Sequence, residues 1–244
     1  MTATSEPRKA QKYAAPRGTN DVLPQDWPYW KQVRDIGERV CESFGYRRID
    51  TPVFENAAVY LRTAGAGTDV VEKEMYLFED RGGEPLALRP EGTAGVARAY
   101  IEHGMASLPQ PVRLYYIAPN FRYDRPQAGR YRQHWQIGAE AIGDADPLVD
   151  AEVIDLQRTL LAELGLRDVT LKLNTIGDAN CRPRYIDALR DYYRPHLDEV
   201  CADDRVRFEK NPLRLRHDSH LRAAKSTEIR RPAGHKRCVA AGLA

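Results

Sequence analysis

Apolar residues recur along this chain at two spacings, and the spacing predicts which segments are helices and which are strands. From about Asp26 to Gly45 they recur every three to four residues, which predicts an amphipathic helix capped by Asp26. The same spacing, with Asp146 as the cap, predicts a long helix that ends at Gly165. Further helices are predicted over 56–73, where the end loosens into a Gly-rich loop, and over 94–103, 182–193 and 197–210.

Other segments alternate apolar and polar residues or are rich in β-branched and aromatic residues, which predicts strands. These segments are 46–54, 75–79, 85–89, 112–121, 132–142 and 169–173. The turn formers Asp80-Arg81-Gly82-Gly83 separate the second segment from the third and predict a hairpin. A loop over 122–129, rich in turn formers, joins the two longest strands into a central hairpin.

The outgoing strand of the central hairpin carries polar side chains on one face. Alternate residues of a strand share a face, so two sets of side chains point in opposite directions. One set is His134, Gln136, Gly138 and Glu140, and the other, predicted to face the core, is Trp135, Ile137, Ala139 and Ala141. A face with an amide, a glycine gap and a carboxylate is suited to a polar ligand.

Four arginines crowd into the eleven residues 122–132, in and just after the hairpin loop, with Asp124 as the one acid among them. They are Arg122, Arg125, Arg130 and Arg132. Guanidinium groups stay charged and bind phosphate or carboxylate through two nitrogens, which favours an anion such as a nucleotide phosphate. The alternative is a solvated basic hairpin. The nearby Gln136 and Glu140 favour the ligand, because a nucleotide beside an amino acid would use both groups.

Glu91 lies where a predicted strand ends and the helix over 94–103 begins, a common position for ligand contacts. Thr93 is predicted to cap that helix. The alternative for Glu91 is a solvated loop carboxylate.

The composition is that of a soluble globular protein, with 244 residues, 42% hydrophobic and 30% charged. No apolar run approaches the roughly 18 residues that span a bilayer, and the first residues lack the apolar segment of a secretory signal. The four cysteines are far apart and show no paired spacing, which predicts reduced thiols in the cytoplasm, without a zinc site or disulfides.

The charge is unevenly distributed. From Arg214 onward, eight basic and two acidic residues give +6, so the preceding part carries −4 within the total of +2. We predict a flexible tail over 1–15 and an unpacked tail over 215–244, where the amphipathic period disappears.

Several segments together resemble the histidyl-tRNA synthetases, a family of class II aminoacyl-tRNA synthetases. They are PRGTNDVLP near the start, TPVFE at 51–55, LRPEGTAGVARAY at 88–100, FRYDRPQAGRYRQHWQIGAE at 121–140 and NPLR at 211–214. The resemblance covers about 13–214 and implies an α+β fold, a class II synthetase-like antiparallel sheet flanked by helices and incomplete at the C-terminus. It makes 16–214 a partial catalytic domain, with the start of an insertion region near 175–214.

The resemblance also implies residue roles. Arg122 would bind the α-phosphate of ATP and stabilise its developing charge, and Arg130 would be a further ATP contact. Gln136 and Glu140 would hold histidine, with Glu140 facing the α-ammonium group. Glu91, Gly92 and Thr93 would belong to the same pocket.

The implied reaction joins histidine and ATP into histidyl-adenylate, with Mg²⁺ on the phosphates, and then transfers histidine to tRNA(His). Segment 51–55 matches the motif through which the family forms homodimers.

The sequence departs from the family after NPLR. The second histidine-recognition segment, the third class II motif and the anticodon-binding domain are not found, which predicts a truncated or frame-shifted fragment with little activity. One alternative is the synthetase-like, histidine-sensing regulatory subunit of ATP phosphoribosyltransferase. Another is a dimerising interaction module whose basic tail binds RNA.

Overall fold

The computed structural model describes residues 13–63, 74–173, 177–198 and 200–215. They form two compact units that divide between Val169 and Thr170. Most of the two predicted tails, and the Gly-rich part of the helix predicted over 56–73, lie outside the described residues. Within these ranges, no helix is long and apolar enough to cross a membrane.

The first unit contains four helices and six strands among its described residues. In chain order they are α1 (Trp27–Ser43), β1 (Arg47–Arg48), β2 (Phe54–Asn56), α2 (Ala57–Thr63), β3 (Leu77–Glu79), β4 (Pro85–Leu88), α3 (Thr93–Glu102), β5 (Val112–Phe121), β6 (Gln133–Ile142) and α4 (Pro147–Glu163). Both predicted hairpins are present, as β3–β4 and β5–β6, and each is antiparallel.

The larger sheet has the order β1-β5-β6. The β5–β6 pairing runs from Val112 opposite Ile142 to Phe121 opposite Gln133, and β1 pairs with β5 in parallel. The smaller sheet, β2-β4-β3, is antiparallel throughout. The mixed helices and antiparallel hairpins agree with the predicted α+β class.

The strand predicted over 46–54 is present in two parts, because this segment bends at its proline and divides between the two sheets. Its first part pairs with β5, and that pairing ends at the hydrogen bond from Ile49 N to Tyr115 O, which is 2.9 Å long. Its last part joins the smaller sheet, where Arg89 N donates to Val53 O. Pro52 lies between them and has no N–H for a ladder, so pairing is interrupted there.

Helices α1 and α4 cover one face of the larger sheet. Their buried residues Val40, Cys41 and Leu156 pack against Tyr115 and Ile117 of β5. A side chain at Gly37 would put its Cβ 2.7 Å from Cδ1 of Ile137, so glycine lets α1 approach β6 closely. Each fully buried aliphatic side chain of this cluster contributes about 1.5–3 kcal/mol.

Helix α3 covers part of the opposite face. Val96 is 1% exposed and clusters with Val112, Leu114, Tyr116 and Ala118 of β5. Strand β5 is therefore buried on both faces, whereas the second face of β6 keeps polar side chains.

The two predicted aspartate caps have different outcomes. Asp146 has extended backbone angles, and its carboxylate accepts from Leu148 N at 2.8 Å, as predicted. Asp26 occupies the N-cap position of α1 but makes no side-chain cap. Its backbone is already helical (φ −91°, ψ −18°), and a capping side chain needs the extended conformation.

The second unit contains α5 (Arg182–Tyr193) and α6 (Ala202–Lys210). Its core consists of Leu189, Tyr193, Phe208 and Leu215. Leu215 is 5% exposed, so packing continues to the first residue of the predicted tail. Helix α6 is shorter than the helix predicted over 197–210, because it begins at Ala202, and its Phe208 packs into the core.

The strand predicted over 169–173 is wrong. The described residues there form no strand, and Val169, Leu171 and Leu173 are 56%, 65% and 72% exposed. The alternation of apolar residues indicates which face a strand would bury if it formed. A strand forms only where it can pair with the edge of a neighbouring strand. The described part of the chain supplies no such edge here.

Candidate active site

Arg89, which ends the β3–β4 hairpin, joins the two sheets of the first unit. Its guanidinium is 5% exposed and donates from Nε to Pro119 O at 2.7 Å and from Nη1 to Thr51 O at 2.8 Å. Its own carbonyl accepts from Phe121 N at 2.9 Å. Burial lowers the pKa of Arg89. These bonds place the next residues, 90–93, against the polar face of β6.

Glu91, and not Thr93, caps helix α3. The helix has Gly92 at its N-cap position, and the Glu91 carboxylate accepts from Thr93 N at 2.7 Å and from Ala94 N at 2.9 Å. The predicted Thr93 cap is wrong because the helix begins at Thr93 itself, one residue earlier than expected. The Thr93 hydroxyl is consequently available to donate to Oε1 of Glu140 at 2.7 Å.

The ring of Tyr116 fills the space that two glycines leave. A Cβ added at Gly92 or at Gly138 would lie 2.2 Å from Cζ of Tyr116 in either case. Tyr116 pairs directly with Gly138 across the hairpin, and Gly92 of the 90–93 segment approaches the same ring. The glycine gap of the sequence is therefore occupied by a phenol.

Glu140 receives two hydroxyl donors, since Tyr116 OH also reaches its Oε1, at 3.3 Å. Burial raises the pKa of Glu140, and the hydrogen bonds from Thr93 and Tyr116 oppose that shift. Burial is the largest cause that raises the pKa of Tyr116 to about 12, and the negative charge of Glu140 is the second. A half-buried carboxylate held by neutral donors is suited to a cationic or N–H-bearing ligand group.

Gln136 and His134 lie farther along the same face of β6. Oε1 of Gln136 accepts from Nδ2 of Asn120 at 2.8 Å, and Asn120 is fully buried. Burial, followed by the charge of Arg122, lowers the pKa of His134. His134 is therefore neutral at pH 7.

Arg122 lies at the other end of the 90–93 segment from Glu140. Its Nε donates to Pro90 O at 2.8 Å, while Thr93 contacts Glu140. One short segment thus contacts the guanidinium at its start and the carboxylate at its end. A ligand along this segment would meet a cation at one end and an anion at the other.

Two of the other three arginines, Arg130 and Arg132, have protein partners nearby. Nε of Arg130 lies 3.0 Å from Oδ2 of Asp124, whose backbone N donates to Arg122 O. The Arg132 guanidinium stacks 3.9 Å above the ring of Tyr123. Arg132 N donates to Gly18 O at 2.7 Å, which attaches the N-terminal PRGT segment to the loop.

A cavity of about 600 Å³ lies between α1 and β6. Its lining includes Trp30 and Arg34 of α1 and residues 133–137 of β6, but not Arg122, Thr93 or Glu140. The prediction that Trp135 is a core residue is wrong, since it is 39% exposed. The Trp135 ring faces the first turns of α1, where it contacts Trp30 edge to face with the ring centroids 5.8 Å apart. The two rings leave the cavity open.

The sequence did not indicate Arg89, Gly18 or Tyr116 as site residues, because their roles depend on contacts between distant segments. Asn120 did carry a signal, as an amide at an inward position of an apolar strand. Among the described residues, no group of three or more His, Cys, Asp or Glu side chains forms a metal site.

The β5–β6 hairpin with its arginine loop, and the strand-to-helix segment laid across it, are those of the class II aminoacyl-tRNA synthetase fold. The model of the histidyl-tRNA synthetase family matches residues 18–180. The chain belongs to the histidyl-tRNA synthetase family.

Relatives of established name support this assignment. The histidine–tRNA ligase of Dehalococcoides mccartyi (strain BAV1) is 57% identical over 203 residues, which cover 83% of this chain and 49% of that protein. The chain therefore spans about half the length of the curated relatives it matches.

Solved structures agree. The apo histidyl-tRNA synthetase of S. aureus has a TM-score of 0.65 and 36% identity, with 89% of this chain and 50% of that chain covered. A structure from Bacillus halodurans C, described as an ATP phosphoribosyltransferase regulatory subunit/histidyl-tRNA synthetase, has a TM-score of 0.62 and 26% identity. It covers 79% of this chain and 52% of that chain.

Proposed function

We propose that this chain binds histidine and ATP for the first step of histidine–tRNA ligation. In that step the histidine carboxylate attacks the α-phosphate of ATP and gives histidyl-adenylate and pyrophosphate; histidine is then transferred to tRNA(His). The observation that carries the proposal is the 90–93 segment, which contacts Arg122 at Pro90 and Glu140 at Thr93. A cation and a carboxylate at the two ends suit the two charges of the reacting pair.

Arg122 is proposed as the catalytic residue. Its Nε is used by Pro90 O, so the guanidinium is oriented before a ligand arrives and its terminal nitrogens remain to meet the α-phosphate. Positioned donors of this kind stabilise the charge that develops on the phosphate during attack. Arg130 is proposed as a second ATP contact, and its half-exposed side chain reaches solvent beside Asp124.

Glu140 is proposed to bind the α-ammonium group of histidine, and Gln136 to bind the same molecule. Gly92 leaves room for the ring of Tyr116, which donates to Glu140, and Thr93 also holds the Glu140 carboxylate. Each oxygen of Glu91 accepts one backbone N–H and has a second lone pair for a ligand donor. Mg²⁺ would arrive on the ATP phosphates as part of the substrate.

The partner proposed for the 51–55 motif is a second copy of this chain. Val53 and Phe54 are 41% and 54% exposed, and Phe54 meets Phe78 edge to face at 6.5 Å. An exposed apolar patch of this kind is typical of an interface. Sedimentation should give a dimer that Phe54→Ser weakens; a monomeric wild-type chain would refute this part. We also propose a cytoplasmic location.

Calorimetry on single variants tests the pocket. Arg122→Ala should weaken ATP binding more than histidine binding, and Glu140→Ala should do the reverse. Arg158→Ala is the matched control, because that arginine is on the exposed surface of α4 with a local partner, Asp155. If Arg122→Ala and Glu140→Ala change the binding of neither ligand, the pocket assignment is wrong.

Pyrophosphate exchange tests the chain as a catalyst. Since the chain spans about half the length of its relatives, we expect exchange by this chain alone far below that of a full-length ligase. Exchange at a normal enzyme rate would contradict that expectation.

The regulatory-subunit function is the second candidate, favoured by the likeness to the Bacillus halodurans structure. It is the weaker one, because the relatives at 50–57% identity are named as ligases. Pull-down of an ATP phosphoribosyltransferase by the chain, with no tRNA bound, would favour it.

A further inference from the structure

Asn120 is a buried amide at a position where its strand otherwise presents apolar surface. It shares a face of β5 with Leu114, Tyr116 and Ala118, and it is fully buried. An amide buried without partners costs about 1–3 kcal/mol. Leucine would fill the position without that cost, so the packing of the core does not explain an amide here.

The hydrogen bonds of Asn120 are one-sided. Its Nδ2 donates to Oε1 of Gln136 at 2.8 Å. Gln136 is paired with Ala118, two residues before Asn120, so this hydrogen bond runs diagonally across the hairpin. Its Oδ1 is buried and has no hydrogen-bond partner among the residues that the structure describes. Asn120 therefore engages the carbonyl end of Gln136 and leaves the amino group of that side chain for a ligand on the face of β6 that also carries Glu140.

We propose that Asn120 is a positioning residue that fixes the orientation of the Gln136 amide, so that Gln136 presents N–H donors to the substrate. The ligand atom opposite Gln136 is then an acceptor, the carboxylate of the bound amino acid, while Glu140 takes a donor. This inference rests on the proposed histidine site.

The opposite orientation is disfavoured by burial. It would turn Gln136 around to donate to Asn120 and would leave the amino group of Asn120 buried without an acceptor. Buried N–H groups without partners are rarer in proteins than buried carbonyl oxygens without partners. The observed arrangement leaves only a carbonyl oxygen unpaired.

Two variants of the full chain test the inference by calorimetry, with histidine and with histamine, which lacks the carboxylate. Gln136→Glu keeps an oxygen for Asn120 but replaces the donors with a negative charge. Histidine affinity should fall by roughly tenfold or more, the value of a hydrogen bond to a charged group, while histamine affinity stays within about threefold. Asn120→Leu frees the Gln136 amide, and histidine affinity should fall several-fold with ATP affinity unchanged.

The outcomes separate the inference from the function beneath it. If the wild-type chain binds no histidine, the proposed function fails and this inference fails with it. If the wild type binds and Gln136→Glu binds histidine as well or better, Gln136 faces the ammonium group and the inference alone is wrong. Melting curves show whether Asn120→Leu folds; if it does not, Gln136→Glu decides, since Gln136 is exposed and its substitution disturbs no core packing.

Discussion

Replacing Gly138 by alanine should destabilise the first unit and weaken histidine binding together. The added methyl carbon would lie 2.2 Å from Cζ and 2.4 Å from the hydroxyl oxygen of Tyr116. Carbon atoms in contact are normally about 3.5–4.0 Å apart, so the ring has to move by roughly 1.3 Å or more. Tyr116 is 3% exposed and held on its other side by Gly92, so it has little room to move.

The size of the effect follows from these contacts. Overpacking of a well-filled core costs about 1–3 kcal/mol, and the stiffer unfolded chain of the alanine variant returns roughly 0.4–1 kcal/mol. We expect a net loss of about 1–2 kcal/mol. For a domain of this size, each kcal/mol lowers the melting temperature by roughly 2–4 °C. The displaced phenol also withdraws a donor from Glu140, so histidine affinity falls.

Denaturant titration followed by tryptophan fluorescence measures the loss, because Trp30 and Trp135 both lie in the first unit. Gly82→Ala is the matched control, since the nearest atom to its added carbon is in the flexible side chain of Asp80, at 3.2 Å. That change should stay within about 0.5 kcal/mol. A double-mutant cycle then combines Gly138→Ala with Tyr116→Ala.

The cycle contains the decisive comparison. Because Tyr116→Ala removes the ring that the new methyl group strikes, the double variant should be more stable than the sum of the two single losses predicts, by about 1 kcal/mol or more. Additive losses would refute the contact between Gly138 and Tyr116. An unchanged stability of Gly138→Ala would refute the packing argument as well.

Three further changes test the framework of the site. Arg89→Met should cost about 3 kcal/mol or more in denaturant titration, because the carbonyls of Thr51 and Pro119 lose their buried donor; a loss below 1 kcal/mol would contradict this. Asp146→Ala should cost about 1 kcal/mol by removing the cap of α4, with ligand binding unchanged. Glu140→Gln should lose histidine binding yet show less loss of stability as pH rises above the ordinary carboxyl value of 4.5. The pKa of Glu140 is raised in the fold, so its contribution is present below that value and is lost as pH rises through the shifted pKa. Parallel pH–stability curves for the wild type and this variant would exclude the assigned shift.

Much of the local structure followed from the order of residues. The β5–β6 hairpin, the helix over 182–193 and the Asp146 cap are set by spacing, turn chemistry and side-chain length, all of which act over a few residues. The alternation of β6 likewise put Gln136, Gly138 and Glu140 on one face, since a strand reverses its side chains at every residue.

The failures share one cause. The pattern of 169–173 is that of a strand, and Trp135 has the alternation of a core residue, yet each depends on what lies beside it in space. Among the described residues no strand edge lies beside 169–173, and an open cavity faces Trp135. The predicted Thr93 cap is wrong because the helix begins one residue earlier than expected. The Thr93 hydroxyl therefore contacts Glu140 and not the end of the helix.

What the sequence determined by itself was the inventory of the site: a carboxylate, an amide and an arginine loop on one hairpin, together with their family. Only the tertiary structure decided how they meet. The contacts of Tyr116 with Gly92, of Thr93 with Glu140 and of Arg122 with Pro90 join segments that are remote in sequence. Such contacts arise when packing closes the chain on itself, and no local pattern of residues encodes them.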